Sequence, residues 1–478
     1  MTFLMELYKT YDENIDQVGV FKKNKYNSEY TLLPISHITQ TAHVEVTIDQ
    51  EGNFHSATII PSQDRLTIIP CTQESASRSS GSAPHGLHDN LMYIAGDLAQ
   101  YTEEFNNKEQ YSTYLKQLRQ WIKSGFATKH VEATYAYVKE SSLINDLVKS
   151  KLLHLDENGQ LINKWERKHS SLISEKSPLY SQVEIPNINK VFVRFNVLGL
   201  EFPWRDKSLF SSFIEFYNTQ LGKDDICYIT GETLPKTRMH PRGIRGSGDR
   251  AKIISSSNTK SIRLFGIADQ AYNVSYEASQ KCHNALKWLI QQQGYVIDGR
   301  VFLFWSVDGR GLPTLFDNGF DLLNKECTIE DIKSHLQSLK EENIIVNVLI
   351  MDSATIGRMS ILNYKHMSLN DYLDALISYH TYYKGEYSTW SNNEGKYVKY
   401  EGAPSINDIV EVAYGKSADD KIIKDELTRL TVTILNGKRI TRSLQKMIVN
   451  KASNPIILSE QEREKAWGVA NALVEKSH

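Results

Sequence analysis

The chain has 478 residues, of which 40% are hydrophobic and 23% are charged, and its formal net charge at pH 7 is -2. This composition is typical of a soluble globular protein with two or three domains and a sizeable core. Because the chain is close to neutral, it is not a uniformly basic protein, and a polyanion would have to be held by a local patch.

The cysteine spacing and the hydropathy pattern indicate the compartment in which the protein is expected. Four cysteines lie far apart without CxxC spacing, which argues against zinc ribbons and a compact disulfide framework. The N-terminus reads as a short amphipathic helix and not as a signal peptide, and no apolar run approaches the roughly 20 residues that cross a bilayer. We therefore expect a cytoplasmic protein with no membrane partner.

The first 185 residues predict an N-terminal α+β domain. Alternating apolar positions predict strands over 43–48, 54–60 and 65–70, followed by a long polar loop over 72–90. Helical spacing extends from 91 to 121, and a polar, helix-rich region continues to about 177. Ser-Pro and Ile-Pro dipeptides then predict a domain boundary near Pro186.

Residues 186–478 predict a second, α/β-type domain with a helical C-terminal part. Strands are expected over 191–197, 301–306 and 344–351, and helices over 208–217, 275–293 and 317–339. The last hundred residues read as mostly helical, with an exposed loop over 385–404. The fold class is therefore α+β, with mixed sheets and helices in more than one domain and no classical nucleotide-binding fold.

Motifs for nucleotide binding are incomplete in this sequence. Tyr414 to Ser417 resembles the end of a phosphate-binding loop, but Val410 stands where the first glycine should be. Thr314 likewise replaces the third glycine of a dinucleotide fingerprint that would begin at Gly309. No GxSxG or HExxH pattern occurs, so hydrolase chemistry has no local support and no cofactor is expected.

A His-Asp dipeptide in the first polar loop leaves one enzymatic alternative open. His85, His88 and Asp89 have side chains that bind metals, as in metal-dependent phosphohydrolases, but the sequence offers no convincing partners for them. Ordinary surface histidines without a metal explain the cluster more simply. A metal-dependent nuclease remains the alternative hypothesis.

The most distinctive stretch is basic and rich in glycine. Between residues 235 and 263 it carries eight lysines and arginines and one carboxylate, that of Asp249. Gly243 and Gly246 match the GxxG pattern that some single-strand binders place on a phosphate backbone. Glycine permits close approach of backbone N–H groups to an anion, and short polar side chains suit phosphate oxygens. We interpret the stretch as a nucleic-acid contact surface whose candidates are Arg238, Arg242, Arg245, Lys252, Ser256 and Asn258.

The first polar loop has side chains that suit contacts in a DNA groove. Arg78 and Asn90 belong to the residue types that pair with base edges, and Ser79 and Ser80 lie beside them. On its own this loop supports a DNA contact no more strongly than it supports an ordinary solvated loop.

Taken together, these segments resemble the large subunit of the type I-C CRISPR Cascade surveillance complex. The resemblance rests on RSSGSAPHGLHDNLMYIAG at 78–96, CYITGE at 227–232, the His240-Pro241 pair before the glycine-rich run, and Gly357-Arg358. It continues in LTRLTVTILNGKRI and in KASNP at 451–455. Members of that family continue into a helical C-terminal domain, most of which would not fit before His478.

The resemblance implies a non-catalytic subunit at the 5′ end of the crRNA. Such a subunit reads the PAM in target double-stranded DNA, aids unwinding and R-loop formation, and presents the complex to a helicase-nuclease. Its further partners would be the backbone, crRNA-processing and small subunits. We assign the first loop to the PAM duplex and the basic stretch to the DNA backbone or the unwound strand. A purely architectural ribonucleoprotein subunit remains a further alternative.

Overall fold

The computed structural model describes residues 3–24, 26–78, 82–171, 173, 176–181, 187–237, 239–246, 248–254, 273–355, 357–391, 395–454 and 459–474. The chain forms two compact units, Met1–Gln292 and Gln293–His478. Both contain helices and strands, so the α+β class predicted from the sequence is confirmed.

Unit 1 contains ten described strands and nine described helices. The strands are β1 (Lys22–Lys23), β2 (Glu29–Tyr30), β3 (His37–Thr41), β4 (Val44–Ile48), β5 (Phe54–Ile59), β6 (Leu66–Pro70), β7 (Asp89–Asn90), β8 (Phe192–Val197), β9 (Asp224–Ile226) and β10 (Thr233–Pro235). The helices are α1 (Phe3–Glu13), α2 (Gln73–Ala76), α3 (Leu91–Ile94), α4 (Leu98–Tyr101), α5 (Lys108–Lys123), α6 (Lys129–Val138), α7 (Leu143–Lys149), α8 (Lys207–Asn218) and α9 (Tyr276–Gln293).

The main sheet of unit 1 has the strand order β5-β4-β8-β7. Strand β4 runs antiparallel to β5 and parallel to β8, with Val44 opposite Val193. Val44, Val46 and Ile48 alternate along β4 and are fully buried. Helices α5, α6 and α8 contribute to the same core, where the rings of Trp121 and Phe213 meet edge to face. Alternation with a period of two therefore places one face of β4 in the core.

The first unit extends much further along the chain than the boundary expected near residue 186. That boundary lies inside unit 1, because β8 forms the central sheet together with β4, nearly 150 residues earlier in the chain. Parallel strands need a long crossover, and here residues 49–191 provide it. The division between the compact units falls instead after Gln292, near the end of α9.

Unit 2 contains six described strands and seven described helices. The strands are β11 (Tyr295–Ile297), β12 (Arg300–Ser306), β13 (Ile345–Thr355), β14 (Arg358–Ser368), β15 (Gly385–Ser391) and β16 (Lys396–Gly402). The helices are α10 (Gly319–Leu323), α11 (Ile329–Ser338), α12 (Leu369–Tyr382), α13 (Ile406–Tyr414), α14 (Asp420–Leu435), α15 (Arg442–Ala452) and α16 (Glu460–Leu473).

The sheet of unit 2 is antiparallel, in the order β11-β12-β13-β14. All seven residues of β12 are buried, as its continuous apolar run predicts. The helix expected over 317–339 is two helices, because Asn324 adopts a left-handed conformation that ends α10. In the part of the chain that the structure describes, no helix is long and apolar enough to cross a membrane.

The prediction of an exposed loop over 385–404 is wrong, because β15 and β16 form a hairpin there. Tyr387 lies opposite Tyr400, and the two rings stack with their centroids 5.3 Å apart. Val398 and Tyr400 alternate with exposed residues and pack inward. The alternation is short, because only Val398 and Tyr400 on β16 are large apolar residues that face inward, and it was not recognised as a strand signal in the sequence.

Acid pH is expected to destabilise unit 1 through its buried histidines. Burial lowers the pKa of His88 and of His283 to about 3, whereas an unfolded histidine titrates near 6.5. Below about pH 6.5 the unfolded chain therefore binds more protons than the native chain, so the free energy of unfolding decreases as the pH falls. Urea unfolding should show each such histidine removing about 1 kcal/mol between pH 7.5 and pH 5.5.

The variant His88→Asn is the matched test, because asparagine does not titrate and its Oδ1 atom takes the position of His88 Nδ1, which accepts the Phe195 amide at 3.1 Å. Its loss of stability over the same pH range should be smaller than that of the wild type by about 1 kcal/mol. Identical pH profiles for the two proteins would contradict a buried neutral His88.

Candidate nucleic-acid interface

Half of the residues predicted to contact DNA can be located. Ser79, Ser80, Arg238, Ser256 and Asn258 lie outside the described residues. The other five, which all belong to unit 1, are Arg78, Asn90, Arg242, Arg245 and Lys252.

Arg78 is tied to the protein by its guanidinium group. It donates to both carboxylate oxygens of Asp89, at 2.7 and 2.8 Å, and to the carbonyl of Ala83 at 2.9 Å. It also lies over the ring of Tyr93, 4.1 Å from the centroid. Burial acts to lower the pKa of Arg78, but the hydrogen bonds and charge of Asp89 outweigh it and raise the pKa above its ordinary value. Arg78 therefore joins the two ends of the first loop.

Asp89 is the buried centre of that loop. Its side chain is fully inaccessible, and it also accepts hydrogen bonds from the backbone N–H groups of His85 and Asn90, at 2.8 and 2.7 Å. A buried carboxylate needs such donors and a countercharge, because solvent supplies neither. Its next neighbour along the chain, Asn90, pairs with Phe192 in the sheet, so the loop is anchored to the main sheet of unit 1.

The metal alternative has no geometric support in the described residues. Both oxygens of Asp89 are already engaged by Arg78 and by backbone N–H groups. His88 is inaccessible, and its Nδ1 accepts the Phe195 amide. Burial lowers the pKa of His85 to about 4 and that of His88 to about 3. Among the residues that the structure describes, no group of three histidines, cysteines or carboxylates could hold a metal ion.

Asn90 has a side-chain oxygen without a hydrogen-bond partner among the described residues. It lies half-buried at the N-terminus of α3, where its side chain makes no capping hydrogen bond. Its Oδ1 atom is buried and has no hydrogen-bond partner among the described residues. An unsatisfied buried acceptor costs free energy unless a ligand or water pairs with it. Asn90 is therefore not held by an ion pair as Arg78 is, and its Oδ1 atom becomes available to a ligand only when the side chain turns outward.

The described part of the basic stretch, residues 236–237, 239–246 and 248–254, is named here the cationic loop. It follows the β9–β10 hairpin, and Asp249 organises its turn. Arg245 donates to both oxygens of Asp249, each at 2.9 Å, while the Gly243 amide donates to the Asp249 carbonyl at 2.8 Å. Gly243 has a φ of 76°, a left-handed conformation that glycine adopts at little cost. Asp249 therefore neutralises Arg245 within the loop.

Arg242 and Lys252 are not neutralised in this way. Arg242 donates to the carbonyl of Arg78 at 3.4 Å, which links the cationic loop to the first loop. Neither side chain has a carboxylate partner among the described residues. Burial, and then the positive charge of Arg242, lower the pKa of Lys252. Two half-buried cations thus lie close enough to repel each other, an arrangement that a bound anion would stabilise.

The sequence analysis missed a third such cation, Lys287 on α9. Lys287 lines the same cleft as Arg242, Gly243 and Gly246. The helix predicted over 275–293 is confirmed as α9, but no residue on it was proposed as a contact. The sequence pattern that could have revealed Lys287 is its helical spacing. Residues 283, 287 and 290 lie on one face of the helix, and His283 and Ile290 on either side of Lys287 are buried. A lysine on a buried helical stripe is unusual enough to single out.

The fold and the interface together define a mixed α+β protein with a local, partly buried cationic surface. The family model described as CRISPR-associated protein (Cas_Csd1) matches residues 7–470, nearly the whole chain. The chain therefore belongs to this family of CRISPR-associated proteins, which confirms the resemblance found in the sequence. No curated protein sequence matches the chain at a significant level.

The Arg78–Asp89 pair is expected to be strongly coupled. Asp89→Asn and Arg78→Met should each cost about 3 kcal/mol of unfolding free energy, because each leaves one buried charge without its partner. The double variant should cost no more than either single variant, which a double-mutant cycle of urea unfolding would measure.

An exposed pair provides the matched control. Lys129 and Glu132, 3.5 Å apart and about half exposed, should show a coupling energy below about 0.5 kcal/mol. Additive costs for Arg78 and Asp89, or equal coupling in the two pairs, would contradict the structural role assigned to the buried pair.

Proposed function

We propose that this chain is the non-catalytic large subunit of a type I-C CRISPR surveillance complex and that it recognises the PAM in target duplex DNA. In this role it aids unwinding and R-loop formation and presents the complex to a helicase-nuclease. Its partners are the crRNA, the target DNA, the backbone, crRNA-processing and small subunits, and the helicase-nuclease. Membership of the CRISPR-associated family supports this setting.

The observation that carries the proposal is the uncompensated charge on Arg242 and Lys252 beside the first loop. The net charge of the chain is only -2, so the chain as a whole does not attract a polyanion. Cations that are already paired with a carboxylate contribute little to holding one, whereas unpaired cations contribute strongly. Phosphate contacts supply affinity and register, and the guide RNA reads the protospacer by base pairing. The protein therefore needs only a few base contacts for a short signal.

The two loops have different tasks in this proposal. Arg78 holds the first loop in place through Asp89, which leaves Asn90 as the described candidate for base contact. An asparagine amide pairs with adenine through one donor and one acceptor, and such a pair contributes about 1 to 3 kcal/mol of discrimination. Arg242 and Lys252 contact backbone phosphates, which position the duplex without reading its sequence.

Replacing Asn90 should reduce discrimination more than affinity. Asn90→Ser keeps a residue that is favoured at a helix N-terminus but removes the amide. In the assembled complex, binding to PAM-containing duplex should weaken about tenfold, and binding to duplex without the PAM should be unchanged. Equal weakening on both duplexes in a filter-binding assay would assign Asn90 to positioning and contradict base contact.

Removing the two unpaired charges should weaken both duplexes equally. Arg242→Gln combined with Lys252→Gln should lower the slope of log K against log salt concentration by about 2, since two phosphate contacts are lost. Lys236→Gln is the matched control, because Lys236 belongs to the same stretch but already pairs with Asp225 at 3.4 Å. An unchanged slope in the double variant would remove the cationic loop from the interface.

A further inference from the structure

Lys287 occupies an unusual place on α9. Its neighbours along the chain, Leu286 and Trp288, are buried, and Lys287 itself is half-buried. One turn earlier, His283 is inaccessible, and one turn later, Gln291 lines the same cleft as Lys287. The aliphatic stem of a lysine can follow an apolar surface while its ammonium group reaches water or an anion. The ammonium group of Lys287 is thus directed by α9 toward the cleft.

A comparison with Lys281, six residues earlier on α9, shows what Lys287 lacks. Lys281 pairs with Asp12 at 2.8 Å and with Glu277 at 2.6 Å, and these contacts outweigh burial and raise its pKa. Lys287 has no hydrogen bond or ion pair with any described residue, and burial lowers its pKa to about 8. The charge of Asp249 acts on Lys287, but Arg245 already engages both oxygens of that carboxylate.

The cleft in front of Lys287 is open and large enough for a ligand. Its volume is about 530 Å³, within the usual range for small-ligand sites. Arg242 and Lys287 supply its positive charge, and Glu29 is the carboxylate in its lining. Gly246 adds no side chain to the wall, and a Cβ atom built there would meet nothing within 4 Å. Two cations and an open glycine backbone suit a phosphate group.

We infer that this cleft binds a phosphodiester group of a nucleic-acid backbone, with Lys287 and Arg242 as its cationic ligands. The inference rests on the proposed function for the presence of a nucleic acid, and it adds the residue and the cleft. DNA and RNA backbones share this chemistry. Lys252, whose pKa is lowered by burial and then by the charge of Arg242, adds a further cation near Arg242.

The test uses the full chain and two probes, a duplex DNA without the PAM and a single-stranded RNA of equal length, in fluorescence anisotropy. Lys287→Met keeps the stem and removes the charge. It should weaken binding to at least one probe about tenfold and lower the salt slope for that probe by about 0.9. Loss on the DNA alone or on the RNA alone identifies the backbone that the cleft holds.

Lys281→Met is the matched control on the same helix. Because Lys281 is already paired within the protein, its replacement should leave the affinity and the salt slope for both probes unchanged. Unchanged binding in Lys287→Met, or equal weakening in both variants, would overturn the inference. Circular dichroism of the variants at the assay temperature checks that α9 is intact in each.

The pH dependence of binding separates a phosphate ligand from a structural lysine. Among the described residues, the charged and titratable groups that line the cleft beside Lys287 are Glu29, Tyr30 and Arg242, and Cys71 and Asp249 act on Lys287 by their charge when they are ionised. His283 lies one turn before Lys287 and is itself influenced by Lys252. Burial raises the pKa of Cys71 to about 12 and lowers that of His283 to about 3, so both stay neutral between about pH 7 and pH 9.5. Wild-type binding should therefore weaken several-fold over this range, as Lys287 loses its proton.

Lys287→Arg isolates that titration, because arginine stays protonated throughout the range. Its binding should change less with pH than wild-type binding does. If the affinity of Lys287→Arg changed with pH as much as that of the wild type does, a phosphate contact by Lys287 would be contradicted. These measurements use no PAM, so a failure of PAM recognition would leave their outcome intact and the two proposals can fail separately.

Discussion

The buried ion pair between Arg78 and Asp89 is the interaction on which the rest of the interface depends. It closes the loop between β6 and β7 and fixes that loop to the central sheet through Asn90 and Phe192. Arg242 of the cationic loop donates to the Arg78 carbonyl, so the second loop is positioned on the first. A buried pair of this kind adds little net stability, yet breaking it is costly, which makes it an effective means of holding one loop conformation.

The cations of this region form two groups, those that are paired with a carboxylate and those that have no carboxylate partner among the described residues. Arg78 and Arg245 are each neutralised by two hydrogen bonds to a carboxylate and so belong to the framework. Arg242, Lys252 and Lys287 have no carboxylate partner among the described residues. Partial burial of unpaired cations lowers stability in the free chain, and an anion that binds there recovers the loss. In this way a nearly neutral chain carries a local concentration of positive charge that is not paired within the described residues.

Sequence reasoning predicted the local elements well where periodicity was strong. Strand β4 and helix α8 lie within a residue or two of their predicted bounds, because alternation and helical spacing report burial directly. The domain boundary could not be read from local pattern, since it depends on the pairing of β4 with β8 across a crossover of nearly 150 residues. The β15–β16 hairpin was missed because the alternation on β16 is short, with Val398 and Tyr400 as its only large inward-facing apolar residues.

The candidate site was predicted as a set of residue types and not as a geometry. The basic stretch was visible from its composition, but nothing in the sequence distinguishes Arg245, which finds Asp249, from Arg242, which does not. Lys287 was missed because it lies outside the basic stretch, on a helix whose pattern reports a core. The most direct test of the account is a structure of the assembled complex bound to target duplex. We expect a phosphate oxygen about 3 Å from Lys287 Nζ or from the Arg242 guanidinium, with the Arg78–Asp89 and Arg245–Asp249 pairs intact. Acidic protein side chains filling the cleft, or a duplex held by Arg78 with its bond to Asp89 broken, would contradict it.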